Sequence, residues 1–253
     1  MTQITKRGHA INMRQSYSTA DTEADRQRLD KDPLLHLNDI GFWDRNVTFV
    51  QASNLTRTGC DVLADKGNLI ASAPAALMMW GYWGSVHGRH AVLWRRGAKI
   101  ELGSVFANWS SGLDLRRQIS LAKLGARDVC GARHFLIAED SSSMAPGAGA
   151  RAAGKGDSSG RLETDKRVDI VTKRLDRPKI VPSTDMIRNL VYAPRSRSVR
   201  RAVINGRIAL EAGRFPHRAE RSTVVDIRAA AAGLFRPLGY TVNLKQLSPR
   251  TIR

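Results

Sequence analysis

The sequence predicts an α/β protein, and three observations carry that prediction. Short β-branched and apolar runs, "NVTFVQ" at 46–51, "NLIAS" at 68–72 and "AKIELGSV" at 98–105, alternate with helix-like segments, the order that makes a parallel sheet or a barrel. These runs are apolar at successive positions, as strands buried on both faces must be. After about residue 160 the pattern changes to hairpin-like strands, and "VVDIRAAAAGLFRPLGY" at 224–240 closes the chain as an alanine-rich helix.

The elements follow in order. "AINMRQSYS", 10–18, opens with a short strand ending near Arg14. "STADTEADRQRLDKDP", 18–33, has a hydroxyl residue first, acids in its first turn, arginines later and Pro33 as a stop, which predicts a helix. "LLHLNDIGFWD" predicts a second, short helix with Gly41 as its cap. "TRTGCDVLADKG", 56–67, and "AVLWRRG", 91–97, each read as a helix closed by glycine, and "LDLRRQISLAKLGARD", 113–128, as a helix with Leu115, Ile119 and Ala122 on one side. Leu121 and Leu124 fall off that stripe and predict wider burial. "SSSMAPGAGARAAGKGDSSG", 141–160, reads either as a flexible linker or as a short helix around 144–153. "RLETDKRVDIVTKRL" reads as strand, tight turn, strand; "VRRAVINGRIALEAGRF", 199–215, is a hairpin whose Asn205-Gly206 pair suits a two-residue turn with positive φ at both positions.

Composition bounds the function. The 253 residues are 42% hydrophobic, enough for a packed core, and no stretch reaches the ~18 apolar residues of a membrane span. The first eighteen residues have a basic pair but no apolar region behind it, so no signal peptide is expected and the expected compartment is the cytoplasm. Cys60 and Cys130 form neither a disulfide framework nor a zinc set and are expected as reduced thiols. The net charge of +18 is divided as +5 over residues 1–126 and +13 over 127–253. The excess in the second half is mostly single arginines, and the one dense run is "RSRSVRR", 195–201, with no aromatic interleaving. A basic nucleic-acid-associated protein is therefore a second alternative that rests on charge alone.

Longer strings carry a family resemblance. "GRLETDKRVDIV" resembles the "GSLEPGKRADIV" of the amidohydrolase superfamily, "RPKIVPSTDMIRNLVY" its run into an "NLVY" segment, and "VRRAVINGRIALEAGRF" its "VIVDGRVVVEDGRL" hairpin. The similarity runs from about residue 10 to about 240 and is to the branch with cytosine deaminases, atrazine chlorohydrolase and adenosylhomocysteine-type deaminases. It implies a partial TIM-type (β/α)8 barrel, about strands 4–8, over 1–155, a β-sandwich portion over 156–220, and a closing helix and tail over 221–253. It also implies hydrolysis of non-peptide C–N or C–Cl bonds in a small cyclic or heterocyclic compound, by water activated on zinc or iron.

The resemblance implies metal ligands at strand ends, a His-x-His on the first strand, a His on the fifth and an Asp on the eighth, with a further His after the sixth that assists. "FVQASNLT" is similar to "AHCVHLT", which sets Gln51 and Asn54 at histidine positions. "LIASAPAALMMWG" is similar to "VAHNPASNMKLG", which sets Ser72 at a histidine, and "ELGSV" to "LGTD", which sets Val105 at the acid. Arg14 stands where strand four often has a histidine. An amide, a hydroxyl and an isopropyl group do not make a zinc site, so no metal is expected in this chain, and an inactive homologue or ligand-binding relic is the first alternative.

Contacts to a small molecule are expected from Arg14, Trp80, Trp83, His87, His90, Asn108 and Trp109, since Trp80 and Trp83 in "MMWGYWG" offer flat apolar surface and the others lie beyond strand ends. His36, His9, His134 and His217 have no companions, and capping accounts for Asp114, Glu139 and Asp140. Without strands one to three, the sheet keeps two open edges, which predicts self-association or a partner that covers them. No membrane partner is expected.

Overall fold

The structure is a computed structural model. It describes residues 11–44, 47–83, 89–105, 112–132, 134, 136, 140, 147–176, 181, 185–192, 198–217 and 220–239. They form two compact units, one of residues 1–167 with 175–198 and the other of 168–174 with 199–253. Of the described residues, 156–167, 175–176 and 185–192 cluster with the first unit.

The first unit is built on four parallel strands, β1 (Ile11–Gln15), β2 (Val47–Gln51), β3 (Leu69–Ser72) and β4 (Ile100–Leu102), paired in that order. The register sets Arg14 opposite Val50, Val50 opposite Ala71, and Ala71 opposite Glu101. Successive side chains of a strand point to opposite faces. One face carries Ile11, Met13, Val47, Phe49, Ile70 and Ile100, which join the main apolar cluster with Leu34, Leu37, Leu63 and Leu93 from helices. Phe49, Leu63 and Ile70 are fully buried there, each worth about 2 kcal/mol by area removed from water. The opposite face carries the row Arg14, Val50, Ala71, Glu101. Because β3 pairs directly with β4, the described sheet has four strands, not the five that a span of strands 4–8 requires. β1 and β4 each have one strand neighbour among the described strands.

The helices of this unit are α1 (Thr19–Leu29), α2 (Pro33–Asp39), α3 (Arg57–Lys66), α4 (Pro74–Met79), α5 (His90–Arg95), α6 (Leu115–Cys130), α7 (Ala148–Ala152) and α8 (Met186–Tyr192). Ser18 caps α1 by accepting from the Asp21 amide. Pro33 does not stop α1; it stands in the first turn of α2, where its fixed φ and missing N–H fit. Asp32 caps α2 and also accepts from Thr56 Oγ1 at 2.6 Å, while that hydroxyl caps α3. Gly67 closes α3 in the left-handed region at φ 65°, as its terminal position predicted.

Two expectations fail on α6. Ile119 and Ala122 are buried, but Leu115 is 38% exposed and Leu124 51% exposed, so the buried side runs through Gln118, Lys123, Gly125 and Ala126 rather than through these leucines. Its inner face instead takes Gln118, whose Oε1 accepts from the Ala75 amide and satisfies the uncapped first turn of α4. Within 141–160 the described residues include helix α7, the second of the two readings of that segment.

The second unit holds the antiparallel strands β5 (Ile170–Lys173), β6 (Val199–Ile204) and β7 (Arg207–Glu211), in that order, and helix α9 (Glu220–Phe235). Asn205 (φ 49°) and Gly206 (φ 76°) make the turn between β6 and β7, as expected. Of "RLETDKRVDIVTKRL" only β5 is a strand: Leu162 is 77% exposed and Asp165 is left-handed, so the first half is a series of turns. No described helix is long and apolar enough to cross a membrane.

Candidate functional site

The C-terminal ends of β1 to β4 are where loops converge in a parallel α/β sheet. The backbone turns sharply there: Ser16, Gln51, Ala52 and Val105 all have positive φ. The end of β1 is stitched to the residues after β2. Ser16 O accepts from the Ser53 and Asn54 amides at 3.1 and 2.9 Å, and Ser53 Oγ donates to Tyr17 O at 2.9 Å.

The positions expected at metal ligands carry little that grips a cation. Gln51 is 1% exposed and its Nε2 has no hydrogen-bond partner among the described residues. Ser72 lies on the same side of β3 as Ile70, toward the helices, and its Oγ is 2.8 Å from Nδ1 of His90. His90 Nε2 is 3.1 Å from the Ala52 carbonyl oxygen. A carbonyl only accepts, so Nε2 carries the proton, and Nδ1 accepts from the Ser72 hydroxyl. His90 is 3% exposed, and burial lowers its pKa, opposed by the Ala52 and Gln51 carbonyls. It is a neutral imidazole.

Val105 stands after β4 at φ 61°, a conformation that a β-branched residue adopts at a cost and that Asp or Asn tolerates. Arg14 is exposed, and its guanidinium lies 3.7 Å over the ring of Tyr17. Tyr17 meets Tyr82 edge-on, with ring centroids 5.1 Å apart. Burial raises the Tyr17 pKa, and the nearby Arg14 charge opposes the rise.

The buried acid of the site is Glu101, in the same row as Arg14 but at the opposite edge strand. Arg151 of α7 is ion-paired to its Oε1, and Oε2 has no partner among the described residues. Burial raises the Glu101 pKa, with the Arg151 hydrogen bond and charge opposing it.

The aromatic candidates separate. Trp80 is 51% exposed after α4, whereas Trp83 lies against Gly125 and Met78 and edge-on to His90 at 6.3 Å. Trp83 is thus packed into the helix layer. His87, Asn108 and Trp109 lie outside the described residues. Sequence reasoning missed Tyr17 and Glu101, and took Tyr82 only as part of the aromatic segment "MMWGYWG". The tyrosine in "QSYS" directly after a strand was the available sign for the first; Glu101 looked like an ordinary polar interruption of an apolar run.

A zinc ion does not fit these residues. A neutral amide, a hydroxyl bound to imidazole, an isopropyl group and a guanidinium cation offer too few basic donors, and no group of three His, Cys, Asp or Glu side chains gathers among the described residues.

No protein-family model matches the chain. It is 28% identical over 204 residues to a 5-methylthioadenosine/S-adenosylhomocysteine deaminase of Syntrophobacter fumaroxidans, a match covering 78% of this chain and 44% of that protein. To the enzyme of the same name from Symbiobacterium thermophilum it is 25% identical, covering 90% and 52%. Among solved structures, a zinc-bound adenosine deaminase from Xanthomonas campestris superposes with a TM-score of 0.82 at 21% identity, covering 89% of this chain and 51% of that one. A zinc complex of atrazine chlorohydrolase from Arthrobacter aurescens gives 0.80 at 23%, covering 90% and 50%. The chain is related to the amidohydrolase superfamily, and it spans about half the length of the relatives it matches.

Proposed function

We propose that this chain is a relative of the heterocycle hydrolases that binds a small ring compound without a resident metal and by itself hydrolyses no C–N or C–Cl bond. The observation that supports this reading is the change in chemistry at the strand ends. Where the resemblance expects imidazoles and a carboxylate, which are electron-pair donors to a cation, the chain offers Arg14, Gln51, Ser72 and Val105. Arg14 and the Gln51 amide are hydrogen-bond donors, suited to a ring oxygen or nitrogen.

In this reading the four parallel strands are the second half of a (β/α)8 barrel. Since β3 and β4 are direct neighbours, they number five to eight, which moves Arg14 to the fifth strand and Gln51 to the sixth. The three-stranded antiparallel sheet is the β-sandwich portion. The ring compound lies against Arg14, Tyr17 and Tyr82, with exposed Trp80 as a further flat surface.

The test is metal analysis of the purified chain together with binding and turnover of amino- and chloro-substituted purines, pyrimidines and triazines. Metal below stoichiometry, saturable binding of at least one ring compound and no turnover are expected. Stoichiometric zinc or iron with release of ammonia or chloride overturns the proposal. So does the absence of binding across the panel.

A further inference from the structure

Among the described residues, His90 is a buried group with two specific hydrogen bonds that neither an imidazole ligand role nor a solvated loop position accounts for. Its two ring nitrogens reach two different strand ends. Nδ1 accepts from Ser72 Oγ, on the last residue of β3, and Nε2 donates to Ala52 O, directly after β2. The ring itself stands on the first residue of α5. One side chain therefore ties two adjacent strands to a helix, at the level where a parallel barrel of this type opens to its ligand.

We propose that the Ser72–His90–Ala52 chain is a metal-independent clasp that fixes the ends of β2 and β3 from the helix side, so that these strand ends keep their geometry with no ion to hold them. The clasp rests on the metal-free reading above only in dispensing with the ion.

Three features support it. All three members are buried: Ser72 at 1%, His90 at 3% and Ala52 at 0% exposure, so water does not compete for the bonds. Both ring nitrogens are used in complementary roles, which locks one tautomer. The flanking backbone is also bonded, with Gly103 N donating to Ser72 O at 2.7 Å and Ala52 N to Val50 O at 3.0 Å, so the clasp joins β4 to the same frame. The positive φ of Gln51 and Ala52 is a conformation that persists only where the surroundings hold it, and the Ala52 carbonyl bond is one such hold. His90 is a positioning residue in this role, since it acts through the backbone of its neighbours.

The experiment is nitrogen NMR of the imidazole in the full chain at neutral pH, with and without a chelator, combined with amide hydrogen exchange. The expected result is the Nε2-protonated tautomer, unmoved by chelator. In Ser72→Ala, a near-isosteric change that keeps the fold, the Nδ1 resonance shifts and the Gly103 amide exchanges about tenfold faster, the order of one lost buried hydrogen bond. His90→Gln, which can still donate to the Ala52 carbonyl, retains part of the protection. An Nδ1-protonated tautomer in metal-free protein, or unchanged exchange in Ser72→Ala, overturns the clasp and leaves the metal-free reading standing. Stoichiometric zinc that leaves the His90 resonances unmoved overturns the metal-free reading and leaves the clasp standing.

Discussion

The indole of Trp83 occupies the space that a side chain on Gly125 would need. A Cβ built on Gly125 would collide with the Trp83 ring and with the Met78 methyl group, so this glycine in the middle of α6 is kept for its missing side chain.

Gly125→Ala sets two effects against each other. Alanine gains about 1 kcal/mol of helix propensity over glycine, while overpacking a filled core costs about 1–3 kcal/mol. The collision involves rigid indole atoms, so packing wins. A net loss of about 1 kcal/mol in urea unfolding is expected, and an increase in stability would show that the Trp83 ring is free to move aside.

The neutral state of His90 makes stability depend on pH. Its pKa in the folded chain is lowered below the ordinary value of about 6.5, so the unfolded chain binds the proton more readily. The contribution is complete above about pH 6.5 and is lost as the pH falls through the folded value. The melting temperature is expected to fall between about pH 7 and pH 5 with a slope that His90→Gln removes. An equal slope in the variant would assign the effect to other groups.

Glu101 responds in the other sense. Its raised pKa means that the folded chain holds the proton longer, so ionisation costs stability as the pH rises above the unfolded value. Glu101→Gln is expected to raise the urea midpoint at about pH 7 and to leave it unchanged at about pH 4. Arg151→Met removes the partner of a buried carboxylate. Breaking such a pair costs about 3–5 kcal/mol when both members are buried; Arg151 is 42% exposed, so about 2 kcal/mol is expected. A lower urea midpoint for Glu101→Gln at neutral pH would mean that the ionised carboxylate stabilises the fold through Arg151 by more than its burial costs.

Position 105 bears the cost of a β-branched residue in the left-handed region. Val105→Asp and Val105→Gly are both expected to stabilise the chain by about 1 kcal/mol, measured by thermal unfolding. Val105→Asp alone is expected to bring no stoichiometric zinc, because Gln51 and Ser72 still supply no imidazole. Adding Gln51→His is the variant in which zinc affinity would first be measurable.

Local chemistry made much of the fold legible. The glycine at position 67, the hydroxyl at 18 and the Asn205-Gly206 pair act through their own backbone or within one turn, and each does in the structure what its residue type predicts. Pro33 misleads because the same ring that ends one helix also begins another. Leu115 and Leu124 mislead because periodicity says which residues share a face and not how wide a neighbour covers it.

The sequence by itself determined the alternation of strands and helices and the polar and aliphatic character of Gln51, Ser72 and Val105. These follow from residue type and order along the chain. Tertiary structure alone decided that His90 is buried between Ser72 and Ala52, that Trp83 fills the notch at Gly125, and that Glu101 meets Arg151 fifty positions away. Those pairings depend on which faces the packed layers bring together, and a hydrogen bond or a collision over a few ångströms leaves no periodic trace in the order of residues.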